Sequence, residues 1–379
     1  MNARRLPFAS RFRTLPGWFV LLAAAFTLIM IGLGLHEGAP PPPTWNAQSR
    51  TPAPTSVTIT GDQQLYLAII NGVAKGGSYY TVATDTLRAN NYPLRPVFAV
   101  RLPTLAVVLA ALPGEAARKG TLVTLIGVTL AAWGWRAYKL YGGLAPAAIT
   151  IAMVFSGLGA GAIGQGYVFH ECWMVALIAL SLAIWKPERW WLSVLIGLAA
   201  VMIRELALGY LLAMAAAALI DKRWPEAAGW GIAILLFCCG TALHAHAIAS
   251  HTLPGDPSSQ GWIGMNGWPF VLLASKWCMI LNAMPFWAIA IMVPLMLFGL
   301  IGWPGATGLR LTMIVYGYVL ALLIVARPDN SYWALIVTPF LPLGLMHLPN
   351  AFIRLARIVK AADIARLKTA RPAPASSGE

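Results

Sequence analysis

Of 379 residues, 59% are hydrophobic and 11% charged, and the mean hydropathy is +0.69. An ordinary soluble domain carries about 25% charged residues, so a chain with a mostly charged surface is excluded, and 35 Gly and 27 Pro scattered without period exclude collagen. The 27 Lys and Arg exceed the 13 Asp and Glu by 14, but they punctuate apolar runs and build no single basic face, which points to membrane topology and away from a nucleic-acid partner.

Arg4, Arg5, Arg11 and Arg13 precede the apolar run 18–35, and no small-residue cleavage site follows it. This predicts a first span entered from the cytoplasm. A Pro-rich stretch at 38–43 then leads into a polar segment, and the expected first outer loop covers 36–96. Within it Leu65, Ile69 and Val73 recur at i, i+4 and i+8, so 63–75 reads as an amphipathic surface helix closed by Gly76-Gly77 and too short to span.

Further apolar runs lie at 97–113, 121–135, 144–163, 172–185, 190–203, 206–220, 227–249, 284–303, 311–326 and 332–348. A crossing needs ~20 residues, so several of these predict broken or tilted helices. Arg101 and the prolines Pro93, Pro96 and Pro103 argue against 97–113 as a plain span. Leaving it uncrossed gives about ten crossings with both termini inside, and the clusters Arg136/Lys139, Lys186/Arg189, Lys222/Arg223 and Arg310 then obey the positive-inside rule. The expectation is an all-α, polytopic transmembrane helix bundle over 1–348 with outer loops 36–96 and 250–282. A basic cytoplasmic tail, 349–379, completes this multi-pass inner-membrane protein. Cys172, Cys238, Cys239 and Cys278 lie in or beside apolar runs without metal-ligand spacing and read as packing residues.

That topology gathers the polar chemistry on the outer face. Asp62 precedes the surface helix, as an N-cap, as a catalytic base, or as both. Arg88, Arg95 and Arg101 offer guanidinium forks for a phosphate, or else snorkel to headgroups. The Gly-rich segment 157–166 matches neither a P-loop nor a dinucleotide fingerprint and reads as close helix packing. It leads to His170-Glu171 at a helix start, where Glu171 either complements the dipole or does chemistry. Arg204-Glu205 interrupts an apolar stretch, so either the helix breaks there or each side chain has a partner elsewhere. In 327–333, Asp329, Asn330 or Ser331 can cap the last helix, Tyr332 and Trp333 suit an interfacial belt, and Arg327 is a candidate anion ligand. The candidate catalytic residues are thus Asp62 and Glu171. The candidate substrate-binding residues are His170, Arg204, Glu205, Arg95, Arg101, Arg327 and Asp329. No strong metal-ligand motif is present, and a divalent cofactor stays open.

The segments GDQQLYLAIINGVAKGGSYY (61–80), RPVFAVRLPTL (95–105), GQGYVFHE (164–171), IREL (203–206) and RPDNSYW (327–333) resemble the organisation of the GT-C superfamily of membrane glycosyltransferases. The resemblance implies sugar transfer from a polyprenyl-phosphate-linked donor to a glycan or lipid acceptor on the outer, periplasmic face. Asp62 would deprotonate the acceptor hydroxyl, and Arg204 or Arg327 would hold the donor phosphate. Several relatives pair two acidic residues in the first loop where this chain has Asp62-Gln63, so metal use does not carry over, and Asp85 is the fallback base. The alternative is a polytopic transporter or lipid-linked saccharide flippase, which would place Arg204 and Glu205 near the midplane and favour an internal repeat that the sequence does not show. A lipid-linked oligosaccharide ligase or polymerase is a third option.

Overall fold

The computed structural model describes residues 10–40 and 61–369. Expectations placed on Arg4 and Arg5, on 41–60 of the first loop and on the tail from 370 lie outside the described residues. The elements in chain order are α1 (Gly17–Glu37), α2 (Asp62–Ala74), α3 (Tyr79–Ala89), α4 (Thr104–Ala111), α5 (Gly114–Tyr141), α6 (Leu144–Leu158) and α7 (His170–Ile184). They continue with α8 (Trp190–Ile203), α9 (Leu208–Ile220), α10 (Trp224–Ala249), α11 (Gly267–Trp277), α12 (Phe286–Leu300), α13 (Gly305–Ile324) and α14 (Leu348–Thr369). Among the described residues β pairing is limited to one isolated parallel bridge between Arg95 and Ser258.

Local chemistry sets several boundaries. α5 stops at Gly142, whose φ of +71° is the left-handed conformation that ends helices, and the Gly142 N–H donates to the Tyr138 carbonyl at 3.0 Å. Gly76, at φ +91°, plays the corresponding part just beyond α2. α8 and α9 are separated because Arg204 is extended (φ −147°, ψ 120°) and a short 3₁₀ turn, Glu205–Ala207, intervenes.

The centre of the molecule is α7. It is apolar on all sides and buries 12 of its 15 residues, as a helix without a polar face must. α5 and α8 pack against it, α8 leads to α10, α10 to α9 and α9 to α13, while α12 lies between α1 and the 3₁₀ segment Leu341–His347. α2 packs on α3 and α4, burying Leu65, Ile69 and Ile70.

This architecture corrects the expected bundle of about ten spans. Among the described residues three helices are long and apolar enough to cross a membrane: α1, α10 and α13. The number rises to five only if each of two bent pairs counts once, 97–111 with α5 at 115° and 328–336 with 341–363 at 54°. The remaining apolar runs fail for a physical reason. α6, α7 and α12 have 15 residues each, about 22 Å at 1.5 Å per residue against a hydrocarbon core of about 30 Å. The apolar residues of α7 and α12 are covered by neighbouring elements instead; α12 alone buries ten of its residues.

The basic residues read as topology markers are largely structural as well. Arg310 is fully buried within α13. Arg136 donates to the carbonyls of Ala183 and Trp185 at 2.5 and 3.0 Å and thereby caps the end of α7. Arg118 ties α5 to the Leu109 carbonyl (2.8 Å) and to Asn71 Oδ1 (3.1 Å). The multi-pass inner-membrane placement with both termini inside falls with the span count on which it was built.

Candidate functional site

A cavity of about 300 Å³ opens where α2, α3, the segment 92–106, the start of α7, the α8–α9 break and the stretch 325–333 meet. Its floor is apolar, from Leu65, Ile69, Ala83 and Leu105, and its polar residues come from well-separated parts of the chain.

Asp62 opens α2, where a carboxylate complements the helix dipole. The N-cap position is Gly61, one residue earlier, and the Asp62 Oδ1 accepts from the Tyr92 hydroxyl at 3.0 Å. Arg101 is held from three directions. Its Nε donates to the Tyr66 hydroxyl at 3.2 Å, its Nη1 donates to the Phe98 carbonyl at 3.3 Å, and its own carbonyl accepts from the Tyr79 hydroxyl at 2.5 Å. Burial first pushes the Tyr66 phenol well above its ordinary value, with Arg101 opposing, so the phenol stays neutral.

Arg204 is 2% exposed and donates from Nε to Glu171 at 2.7 Å. Its Nη1 bonds to Glu205, which an ideal helix would not permit between neighbours; the extended backbone at Arg204 brings the two side chains together. The helix therefore breaks there, and Arg204 also finds a partner on α7, whereas Glu205 pairs with its neighbour Arg204. Glu171 sits behind Arg204 and does not line the cavity. Burial raises its carboxyl, but Arg204 and then Arg101 outweigh that and hold it at about 2.

Arg327 forks onto Asp329 with two bonds of 3.1 Å. The Asn330 side chain accepts from the Arg327 backbone N–H at 3.2 Å, and Trp262, Tyr332 and Trp333 complete this wall. The loop bearing Trp262 is tied down by Leu94 N–H to the Pro257 carbonyl (2.9 Å), Ser259 N–H to the Arg95 carbonyl (2.6 Å) and Arg88 to Asp256 (2.7 Å). The hydrogen bond from Arg88 holds the Asp256 carboxyl below its ordinary value.

The fold thus brings Asp62, Arg101, His170, Arg204, Glu205, Arg327 and Asp329 to one cavity. Arg95 is not among its lining residues and donates to the Leu253 carbonyl at 3.1 Å as a strut. Asp85, the fallback base, pairs with Arg88 at 2.9 Å and does not line the cavity. Sequence reasoning missed Tyr92 as the donor to Asp62 and Tyr66 as the acceptor for Arg101. Tyr66 lies four residues after Asp62 and so shares its helix face, whereas nothing in the spacing of Tyr92 marks it.

Three cations, Arg101, Arg204 and Arg327, and three carboxylates, Asp62, Glu205 and Asp329, line the cavity. Arg204 and Arg327 are engaged in ion pairs, as are Glu205 and Asp329. Among the described residues no ion pair reaches Arg101 or Asp62. The cavity therefore presents one open cation and one open anion.

No protein-family model, no curated protein and no solved structure matches the chain. The GT-C resemblance is overturned by the fold, because it required a polytopic bundle and the described residues hold three to five candidate spans. The glycosyltransferase activity, the bilayer and polyprenyl-linked partners, and the transporter alternative rested on the same bundle and fall with it. Among the described residues no group of three or more His, Cys, Asp or Glu is placed to hold a metal ion. Buried ion pairs inside a helical core take up the charges that had been assigned to membrane faces.

Proposed function

We propose that the chain binds a small dipolar organic molecule in this cavity, one carrying an acidic group together with a hydroxyl or ammonium donor. The acidic group pairs with Arg101, whose guanidinium is oriented by Tyr66 and Phe98 and has no ion-pair partner among the described residues. The donor hydrogen-bonds to Asp62, whose second oxygen is not used by Tyr92. The apolar floor and the aromatic wall take the carbon skeleton, and a volume of about 300 Å³ suits a ligand of metabolite size. The observation that carries the reading is the pairing pattern. Every other lining charge is already neutralised by a neighbour, so a simple anion would meet a wall with no net positive charge.

The test is calorimetric titration of the purified chain with glycerol 3-phosphate and serine, which carry both groups, and with inorganic phosphate and acetate, which carry the acid alone. The two-group ligands bind more tightly, and Arg101→Met and Asp62→Asn each weaken them at least about tenfold, or about 1.4 kcal/mol. Equal binding of both sets, or affinities indifferent to both substitutions, would refute the reading.

A further inference from the structure

His170 opens α7 at the cavity wall and is 4% exposed. Neither its Nδ1 nor its Nε2 has a hydrogen-bond partner in the protein among the described residues. That is unusual, because buried polar side chains are nearly always bonded and an unmet donor or acceptor is costly. Its neighbours do not relieve it. The Tyr66 ring meets it edge to face at 5.1 Å, and the Tyr66 hydroxyl already accepts from Arg101. Glu171, next in the chain, is turned toward Arg204.

The groups facing His170 also determine its charge. Burial first, then Arg101 and Arg204, favour the neutral imidazole, with Glu171 opposing, and the ring is pushed down to about 3. A neutral imidazole offers one N–H donor and one bare nitrogen acceptor. It brings no positive charge to hold a second anionic group. The two nitrogens point to different sides of the ring, so a ligand group meets one of them, and a hydroxyl, which both donates and accepts, suits either.

We propose that His170 is the specificity-determining residue of the cavity and reads a hydroxyl on the ligand skeleton, so that the preferred class is hydroxylated acids such as polyol phosphates over plain alkyl acids. This rests on the reading of Arg101 and Asp62 given above. It adds a third polar subsite, formed by a residue that the ion-pair pattern does not include.

The experiment compares glycerol 3-phosphate with propyl phosphate on the purified chain, the His170→Asn and His170→Phe variants, and chain carrying ¹⁵N-labelled histidine. The expected wild-type preference for glycerol 3-phosphate is at least about tenfold, because a site built to bond a hydroxyl rejects the analogue lacking it. His170→Phe should cut that preference about tenfold while leaving propyl phosphate within about twofold, and His170→Asn should retain part of it. The ring signals that vanish in His170→Asn should shift with glycerol 3-phosphate and stay in place with propyl phosphate. A preference undiminished in His170→Phe overturns the proposal, and so do ring signals indifferent to both ligands; the labelled wild type decides if the Phe variant fails to fold. Equal affinity for both phosphates overturns both readings, whereas a preference undiminished in His170→Phe but lost in Asp62→Asn overturns the role of His170 while the cavity reading stands. If neither binds, both fall.

Discussion

Glu171 and His170 are adjacent, both buried, and kept in opposite charge states by the same guanidinium neighbours. The Glu171 carboxyl is depressed from 4.5 to about 2, against the effect of burial, by Arg204 and Arg101. Its contribution to stability is complete above the unfolded value and is lost as pH falls through that window. The His170 ring is depressed from 6.5 to about 3, by burial first and then Arg101. Between those values the unfolded chain takes up a proton that the folded chain refuses, so acidification is again destabilising. Denaturant titration should therefore show stability declining from near pH 6.5 downward, by no more than about 1.4 kcal/mol per pH unit for each group. His170→Asn should flatten the decline between 6.5 and 4.5 and leave only the Glu171 part of it below 4.5. A stability profile that rises on acidification through this range would contradict the assignment. At this scale Arg204-Glu205 and His170-Glu171 were visible in the sequence, because ionisable residues inside apolar runs stand out. Their partners were not visible: the bond between Arg204 and Glu171 spans 33 residues, and that between Tyr92 and Asp62 spans 30.

Among the elements, the Gly-rich segment that begins in the last turn of α6 shows how a pattern becomes a contact. A Cβ at Gly157 would lie 2.3 Å from the Pro339 nitrogen and 2.4 Å from the Thr338 carbonyl carbon, both backbone atoms. The glycine thus lets α6 approach the chain at 338–339 more closely than any other residue would, in keeping with the packing reading of that stripe and not with a phosphate loop. Gly157→Ala should destabilise the protein by about 1–3 kcal/mol, the usual result of overpacking. Gly127, within α5, has nothing within 4 Å of an added Cβ, and Gly127→Ala should be neutral or stabilising by roughly 0.5–1 kcal/mol. Thermal unfolding of the two variants side by side checks the contrast, and equal effects would show that the approach at Gly157 is not tight. Helix periodicity was likewise readable for α2, expected at 63–75 and found at Asp62–Ala74. Its surroundings were not readable, since the stripe Leu65, Ile69 faces neighbouring helices.

At the scale of the whole molecule, the side of the fold that carries Arg310 is held by buried charge. Arg310 bonds Asp221 at 2.6 Å and Glu226 at 3.0 Å and lies 3.8 Å above the Trp185 ring. Glu226 also accepts from Trp185 Nε1 at 2.8 Å and from Arg223 at 2.6 Å. This group joins α13, the α9–α10 turn and the end of α7. Removing one partner strips the other of one of its two ion pairs, since Arg310 keeps Asp221 and Glu226 keeps Arg223, so Arg310→Met or Glu226→Gln should each cost about 1–3 kcal/mol. The double variant should lose less than the sum, since each single change already breaks the bond the pair shares; strict additivity in urea unfolding would show the pair to be uncoupled. The sequence by itself determined that the chain is helical and apolar, with scarce charges at identifiable places, because composition and periodicity are local properties. It could not determine what the apolar surface faces. A run of 15 apolar residues reads alike whether it lies against another medium or against its own neighbours, and only the packing of α7 and α12 into the interior decided for the neighbours. The same holds for the charges. An arginine between two apolar runs is a topology marker only if it stays in a loop, and tertiary structure instead set Arg310 against Glu226, Arg204 against Glu171, and left Arg101 and Asp62 open in one cavity.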